Sequence, residues 1–209
     1  MAGGHKRKEG RFPKMIDLYT WTTTNGRRAI IMAEEAGLPY NLHWINIQKG
    51  DQKTPEYEKI NPYRKIPSLI DSDGPGGKPA TVFESVAICF YLAEKAGKLL
   101  GSPVEKPNVL KWSMFHATNV LFTMGSLGRI NDPSFETGSK VQLETMDKHL
   151  ANNEYFAGSF SIADIIPYTR IAGVKHDAVK VSDYPNVQKW VERVGARPGV
   201  KKGMEIKPA

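Results

Sequence analysis

The order of strand-like and helix-like patterns at the start of the chain constrains its fold more than any other feature. Met15 to Tyr19 is a short apolar, β-branched and aromatic run, which predicts a strand. A threonine-rich turn follows, and Arg27 to Ala36 then has helical apolar spacing that ends at Gly37. Asn41 to Ile47 predicts a second strand. Together these segments predict a βαβ unit, whose strands are parallel and joined by a right-handed crossover.

The next segment predicts two more strands and a second helix. Ile66 to Asp71 is a third strand with a proline near its entrance, where the missing N–H does least harm. Ser72 to Lys78 is rich in turn formers and leads into a fourth strand at Ala80 to Phe83, so these two strands form a hairpin. Glu84 to Ala96 has helical apolar spacing. The order βαβ followed by ββα is that of the thioredoxin-like fold.

The remaining sequence is helical in pattern throughout. Residues 99–107 predict a linker, which divides a thioredoxin-like α/β domain over 15–98 from an all-helical domain over 108–209. Ser161 and Asp164 form an N-terminal capping signature for one helix of the second domain. Tyr184-Pro185 opens another amphipathic helix, which stops near Pro198.

The net charge of +7 belongs to the two ends of the chain. The first 14 residues hold five lysines and arginines against one glutamate, and the last 13 hold four against one. Residues 15–196 are therefore balanced, which does not support a nucleic-acid-binding core. Residues 1–14 are polar and lack periodicity, so we expect a disordered basic tail outside the fold. The alternative is an adaptor that binds nucleic acid or an anionic surface through the two basic tails.

The single cysteine, Cys89, excludes an intrachain disulfide, a paired-cysteine redox motif and a cysteine-based zinc site. The histidines show no metal-binding spacing, so no metal is expected. No apolar run is long enough to span a bilayer and the N-terminus lacks a secretion signal, so we expect a cytoplasmic protein without membrane partners. Cys89 lies in an apolar helical stretch, where a free cysteine behaves as a small apolar residue. Any thiol chemistry would therefore use a borrowed thiol.

Several motifs in a fixed order give the chain a family resemblance over nearly all of residues 15–200. They are MIDLY followed by TTNG, then NPYRKIPSLID, VFESVAICFYLAEK, FAGSFSIAD and YPNVQKWVERVGARP. The sequence resembles the glutathione transferases, and most of all the bacterial nu class of glutathione-dependent disulfide-bond oxidoreductases. The resemblance implies a glutathione-binding N-terminal domain, bound glutathione as co-substrate and a homodimer.

By this resemblance, the hydroxyl of Thr23 and the amide of Asn25 would donate hydrogen bonds to the glutathione thiolate and lower its pKa. They lie at the start of the first helix, where unpaired N–H groups and the helix dipole favour an anion. The alternative is that one of them merely caps this helix.

The resemblance implies that residues of other loops contact the rest of glutathione. Ile66-Pro67 matches a cis-proline position at which the Ile66 main chain pairs with the cysteinyl part, although Pro67 can also simply start a strand. Ser85 would hold the γ-glutamyl carboxylate while Glu84 faces the amine, although this pair can also be an ordinary helix cap. Lys65 and Gln52 match positions that contact the glycyl end.

The acceptor side of the site is expected from the second domain. Apolar and aromatic side chains would form a wall for the co-substrate: Trp21, Met114, Phe115, Phe122 and Met124. Two departures from the family pattern bear on this wall. Thr24 stands where proline is common, and the stretch from Gly125 to Val141 is roughly ten residues shorter than in similar sequences, where it supplies an arginine over the site. Arg129 is the only nearby arginine, and a more open cleft for a bulkier co-substrate is a hypothesis.

Two reactions fit these residues. In disulfide exchange, the bound thiolate attacks a small-molecule disulfide and a second glutathione completes the cycle. In conjugation, the thiolate attacks an electrophilic carbon of a bulky substrate. The product is then either the conjugate or a cleaved substrate. We predict a disulfide reductase with some transferase activity. A glutathione-binding scaffold without turnover is a further alternative, which the presence of both Thr23 and Asn25 disfavours.

Overall fold

The computed structural model describes residues 15–208, and it contains a four-stranded mixed sheet within the first domain. The strands are β1 (Ile16–Thr20), β2 (Tyr40–Trp44), β3 (Ser68–Asp71) and β4 (Ala80–Phe83). Their order across the sheet is β2-β1-β3-β4. β1 is parallel to β2 and antiparallel to β3, and β3 and β4 form an antiparallel hairpin. The predicted parallel pairing of β1 with β2 and the predicted hairpin are therefore confirmed.

Three α-helices belong to the first part of the chain, counted from residue 15 onward. They are α1 (Thr24–Ala36), α2 (Pro55–Glu58) and α3 (Ser85–Ala96). Both long helices end at a glycine in the left-handed conformation, Gly37 after α1 and Gly97 after α3. The buried face of α1 packs against α3 and β1, and Leu18 of β1 is fully buried. The result is the predicted thioredoxin-like arrangement.

The rest of the chain is helical, as predicted. Its helices are α4 (Lys106–Phe115), α5 (Leu121–Ser126), α6 (Pro133–Leu150), α7 (Ile162–Ile171), α8 (Pro185–Gly195) and α9 (Pro198–Glu205). A π-helical turn over His116–Val120 joins α4 to α5. Of the helices among residues 15–208, none has the length and apolar composition that crossing a membrane requires.

The helical part packs on α1 and fixes the turn at which α1 begins. α1 contacts both α7 and α9. The hydroxyl of Thr169 donates to the Thr24 carbonyl oxygen at 2.9 Å, which ties α7 to the first residue of α1. At the other end of α1, Arg197 forms an ion pair with Glu35 at 2.7 Å. The helical part of the chain therefore holds α1 at both of its ends.

The capping signature at the start of α7 forms as predicted. The buried carboxylate of Asp164 accepts a hydrogen bond from the Ser161 N–H at 3.1 Å, and the Ser161 hydroxyl oxygen accepts from the Ala163 N–H at 3.2 Å. Asp164 also accepts from the Trp190 indole at 2.8 Å, which attaches α8 to this helix start.

Several predicted element bounds differ from the structure. α1 begins three residues before Arg27, because the Thr23 side chain caps it. β2 ends at Trp44, and β3 begins only at Ser68, since Pro67 has no N–H to donate to the ladder. Pro198 opens α9 as well as following α8, as proline at the first helical position can.

α4 begins at Lys106, inside the predicted linker 99–107. The domain bounds 15–98 and 108–209 stay predictions, and the predicted disordered tail, 1–14, lies outside the described residues.

Candidate active site

A cleft of about 340 Å³ lies where the β1–α1 turn meets the loops before α2 and β3. Its far wall comes from the helical part of the chain. The residues that line it are Thr23, Thr24, Asn25, Ile47, Gln52, Lys65, Ile66, Arg129 and Arg170. The structure therefore brings together six of the residues that the sequence predicted, from four separate segments.

The β1–α1 turn places donors at the entrance of α1. The Thr23 hydroxyl oxygen accepts from the Gly26 N–H at 3.1 Å, so this residue caps the helix, and its own hydroxyl proton can still be donated. Gly26 is required by close approach, because a Cβ there would lie 1.9 Å from the Trp21 carbonyl oxygen. The cap and a contact to a bound anion are compatible functions of the same hydroxyl group.

Asn25 lies in the first turn of α1 and is oriented by a neighbour. Its Oδ1 accepts a hydrogen bond from Nη1 of Arg28 at 2.9 Å. An amide whose oxygen is engaged inward presents its NH₂ group on the other side, and Asn25 lines the cleft. This side chain can therefore donate to a ligand in the cleft.

Arg28 is completely buried beneath the turn. Its Nε donates to the Ile166 carbonyl oxygen at 2.6 Å, and its Nη1 donates to Ser85 Oγ at 2.6 Å as well as to Asn25. Burial lowers its pKa to about 10, which still leaves it charged at neutral pH. Within residues 15–208 it is paired with no carboxylate. The turn therefore stands above a buried, uncompensated positive charge, which favours an anion in the cleft.

Ile66 enters the cleft just before β3. The Ile66-Pro67 bond is cis. The preceding carbonyl group, that of Lys65, accepts hydrogen bonds from the Tyr57 hydroxyl and from Asn61 Nδ2, each at 2.8 Å. In the part of the chain that the structure describes, the Ile66 main-chain N–H and C=O form no hydrogen bond. The backbone is thus held in place with an open donor and acceptor.

Gln52 and Lys65 line the same cleft from two different loops. Oε1 of Gln52 is buried and has no hydrogen-bond partner among the described residues. A buried acceptor without a partner costs free energy, which a ligand N–H can recover. The Lys65 side chain is exposed, with Nζ 5.8 Å from the Tyr63 ring centroid. These two residues can therefore contact an amide and a carboxylate.

Glu84 and Ser85 do not line the cleft directly, although Arg28 links Ser85 to Asn25 within it. Glu84 has a φ angle of 71°, which is unusual for a residue with a side chain and costs roughly 1–3 kcal/mol. Ser85 is the first residue of α3, where its backbone N–H has no partner within the helix. Backbone strain of this kind often occurs at ligand-binding positions.

The predicted acceptor wall is not assembled around this cleft, and of the predicted acceptor residues only Arg129 lines it. Trp21 packs edge-on against Trp44, and Phe115 packs edge-on against Trp112. Phe122 is 63% exposed and contacts Phe135.

The two methionines of that predicted wall also lie elsewhere. Met114 is 39% exposed, and Met124 is buried and lines an adjoining cavity. All five acceptor assignments outside Arg129 therefore stay predictions from the family resemblance.

Three of the lining residues were not predicted from the sequence to belong to the site. Thr24 and Ile47 lie beside predicted elements, but their side chains carried no signal of a ligand. Arg170 follows Pro167 within the apolar helix α7, where one arginine among buried residues was the available signal. Its Nε is buried and has no hydrogen-bond partner within residues 15–208. Burial lowers the pKa of Arg170, and the nearby positive charge of Arg129 lowers it further.

Cys89 does not line the cleft. Its side chain is fully buried, and burial raises the pKa of its thiol to about 12, against the opposing effect of the nearby Arg28 charge. Residues 15–208 contain no group of three or more histidine, cysteine or acidic side chains arranged to hold a metal ion.

Comparison with known proteins agrees with the motifs. The glutathione S-transferase N-terminal domain model matches residues 24–95, and the C-terminal domain model matches residues 131–205. The chain is 34% identical to the disulfide-bond oxidoreductase YfcG of Escherichia coli over 197 residues, which cover 88% of this chain and 92% of that protein.

Solved structures are similar over almost the whole chain. A glutathione transferase family member from Pseudomonas fluorescens with two glutathione bound has a TM-score of 0.86 at 34% identity, covering 95% of this chain and 96% of that one. A glutathione transferase from Pseudomonas putida with one glutathione disulfide bound per subunit has a TM-score of 0.87 at 31% identity, covering 96% and 95%.

Proposed function

Because the chain belongs to the glutathione S-transferase family and to its bacterial nu-like class, we propose that it reduces small-molecule disulfides with glutathione and has some transferase activity. The thiolate of bound glutathione is the nucleophile. Thr23 and Asn25 donate hydrogen bonds to it, at the start of α1.

One observation carries this proposal: the donor pair lies directly above a buried guanidinium that has no counter-ion among residues 15–208. Thr23 and Asn25 line the cleft, and Arg28 holds the Asn25 amide from beneath. The helix N-terminus adds further positive potential. An anion near these groups is stabilised, so the pKa of a thiol bound there falls and its thiolate fraction at neutral pH rises.

The remaining parts of glutathione have matching groups. The open N–H and C=O of Ile66 pair with the cysteinyl backbone, as two strands would. Gln52 and Lys65 take the glycyl end of the tripeptide. Ser85 and Glu84 take the γ-glutamyl carboxylate and amine, at the start of α3.

The reaction balances with two glutathione molecules and one disulfide. The first thiolate attacks one disulfide sulfur, the old S–S bond breaks with its electron pair on the departing sulfur, and this thiolate takes a proton. A second glutathione thiolate then attacks the mixed disulfide. The products are glutathione disulfide and two substrate thiols, whose protons come from the two glutathione thiols. Cys89 is fully buried and takes no part.

A homodimer and a cytoplasmic location complete the proposal. The homodimer follows from the family resemblance and is open to direct measurement. Light scattering coupled to gel filtration should give about twice the chain mass of 23.3 kDa. A monomer that reduces disulfides would contradict the proposed dimer but not the proposed reaction.

The test is NADPH-coupled reduction of a small neutral disulfide at fixed glutathione, with glutathione reductase recycling the product. Asn25→Asp is the sharpest variant, because its carboxylate still accepts from Arg28 while it can no longer donate to a thiolate. We expect the rate to fall by about tenfold or more, as for loss of a hydrogen bond to a charged group. Thr23→Ala should lower it similarly.

The exposed residue Asn152 provides a matched control. Asn152→Asp makes the same chemical change outside the cleft and should leave the rate unchanged. Full activity in both Asn25→Asp and Thr23→Ala would contradict the proposed site.

A further inference from the structure

A second, smaller cavity adjoins the cleft on the side of the helical domain. It measures about 150 Å³ and lies between the end of α5 and the segment after α7. Four of its nine lining residues are basic or imidazole side chains, namely Arg129, Arg170, Lys175 and His176. Both arginines also line the glutathione cleft. The cavity has no acidic lining residue, so it continues the cleft as a positively charged extension.

Arg170 has unmet hydrogen-bonding capacity at the boundary between the two spaces. Its Nε is buried and has no hydrogen-bond partner among the residues that the structure describes. Its guanidinium passes close to Gly125, where a Cβ would lie 3.3 Å from Nη2. In the part of the chain that the structure describes, neither Arg129 nor Arg170 forms an ion pair with a carboxylate. Two neighbouring guanidinium groups without a counter-ion repel each other, and an anion between them relieves that repulsion.

The two carboxylates that line the next cavity outward already have partners. Asp132 accepts from the Ser134 N–H at 2.8 Å as the cap of α6, and Glu136 forms an ion pair with Lys140 at 2.7 Å. They line the next cavity outward, which shares Arg129 and His176. Neither carboxylate lines the smaller cavity itself.

His176 adds a donor to the same cavity. Its Nδ1 lies 3.3 Å from the Ala178 N–H and accepts from it, so in the neutral ring the proton resides on Nε2. That N–H can be donated to an anion without protonation of the ring. Lys175 is exposed at the rim and adds a mobile positive charge.

We propose that this cavity is a binding site for the negatively charged group of the co-substrate, so that the enzyme prefers disulfides bearing a carboxylate. Arg129 and Arg170 bind the carboxylate, and the disulfide extends into the adjoining cleft towards the thiolate above Asn25. The inference rests on the proposed function, because the same disulfide exchange takes place there with the same products.

The experiment compares three disulfides with the same two-carbon spacing between sulfur and the end group. They are dithiodipropionate, its neutral diamide, and the cationic cystamine. The ratio of kcat/KM for the acid to that for the diamide is measured at saturating glutathione and low salt. We expect a ratio of roughly tenfold or more in favour of the acid, as a charge-assisted hydrogen bond provides. Cystamine should be the poorest substrate, and added salt should narrow the differences.

Variants then locate the preference. Arg170→Gln and Arg129→Gln should each bring the ratio towards one. Arg129 is exposed, so its substitution keeps the test valid even if the Arg170 variant does not fold. Lys189→Gln removes one positive charge from an exposed position on α8 and should leave the ratio unchanged.

The outcomes separate the two proposals. Reduction of the diamide without preference for the acid overturns the anion site and leaves the reductase intact. A preference that survives in both arginine variants also overturns it. Reduction of none of the disulfides overturns the proposed function, and this inference fails with it.

Discussion

The Nη1 atom of Arg28 lies 2.6 Å from the hydroxyl oxygen of Ser85, and the same nitrogen donates to Asn25 Oδ1 at 2.9 Å. Asn25 belongs to the thiol end of the proposed glutathione site and Ser85 to the γ-glutamyl end. One buried guanidinium therefore positions both ends from beneath. It also supplies a charge that no carboxylate among residues 15–208 neutralises.

Substitution of Arg28 should change the acidity of the bound thiol. Arg28→Met removes the charge and releases the Asn25 and Ser85 side chains, while keeping much of the buried volume. We expect the pKa of bound glutathione to rise by about one unit or more, since one unit corresponds to 1.36 kcal/mol of differential interaction. The pH dependence of the ultraviolet absorbance of the thiolate measures this directly. The free energy of unfolding should fall by about 1–3 kcal/mol, because buried acceptors lose their donor.

The adjacent Arg27 provides the control for that experiment. It lies on the same helix, but its guanidinium donates to the carbonyl oxygens of Gly203 and Ile206 at the C-terminal end of α9. Arg27→Met should lower stability and leave the pKa of the bound thiol unchanged. Equal thiol pKa values in wild type, Arg27→Met and Arg28→Met would show that Arg28 has only a structural role.

Thr23 can be tested so that its cap and its proposed thiol contact are separated. The cap needs a side-chain acceptor for the Gly26 N–H, and a contact to the thiolate needs a donor. Thr23→Ser keeps both groups and should keep stability and activity. Thr23→Asp keeps the acceptor, so the helix should stay capped, but it places a negative charge beside the thiolate. We expect a rate loss of at least about tenfold, as for a lost charge-assisted bond.

Thr23→Ala removes both groups and should also lose about 0.5–2 kcal/mol of stability. Thermal unfolding of each variant is measured beside the disulfide reduction rate. If Thr23→Asp were as active as wild type, Thr23 would be a helix cap and nothing more.

The fold could be predicted because its signals are local. Strand and helix periodicity gave the order of elements, and the Ser161–Asp164 capping signature formed as expected. The cluster of Thr23, Asn25, Gln52, Lys65 and Ile66 depended on the family resemblance, since these residues come from separate loops. Spacing alone does not reveal which loops meet.

Neither the local patterns nor the family resemblance assigned a role to Arg28 or Arg170. In the sequence, Arg28 follows another arginine on a helix, a pattern typical of an exposed face, yet it is fully buried. Arg170 sits on the predominantly buried helix α7. The importance of both depends on the packing of the helical domain against α1, a long-range arrangement that no local pattern encodes.

Cys89 should be dispensable for chemistry. Its thiol is fully buried and its pKa is raised to about 12 by burial, so it has neither access nor a useful thiolate fraction. Cys89→Ala should reduce disulfides at the wild-type rate and lose roughly 1 kcal/mol of stability, as for a small buried apolar deletion. Loss of turnover by a folded Cys89→Ala protein would contradict the two-glutathione reaction.

The buried carboxyl of Asp164 should give the stability a distinct pH dependence. Burial raises its pKa to about 6 despite donors from Trp190, Phe156 and Ser161. Its ordinary value is 3.8, so the folded state holds the proton more tightly. The stability contributed by protonation is therefore fully present below about pH 4 and is lost as the pH rises through about 6.

Asp164→Asn isolates this effect, because the amide does not titrate. The free energy of unfolding of wild type minus that of Asp164→Asn should decrease from pH 4 to pH 7 by on the order of 2–3 kcal/mol, from a pKa difference of about two units. Denaturant titrations of both proteins across this range measure the difference. A difference that increases with pH would mean that the three N–H donors outweigh burial and that the folded-state pKa lies below 3.8. The network at the start of α7 would then stabilise the carboxylate itself.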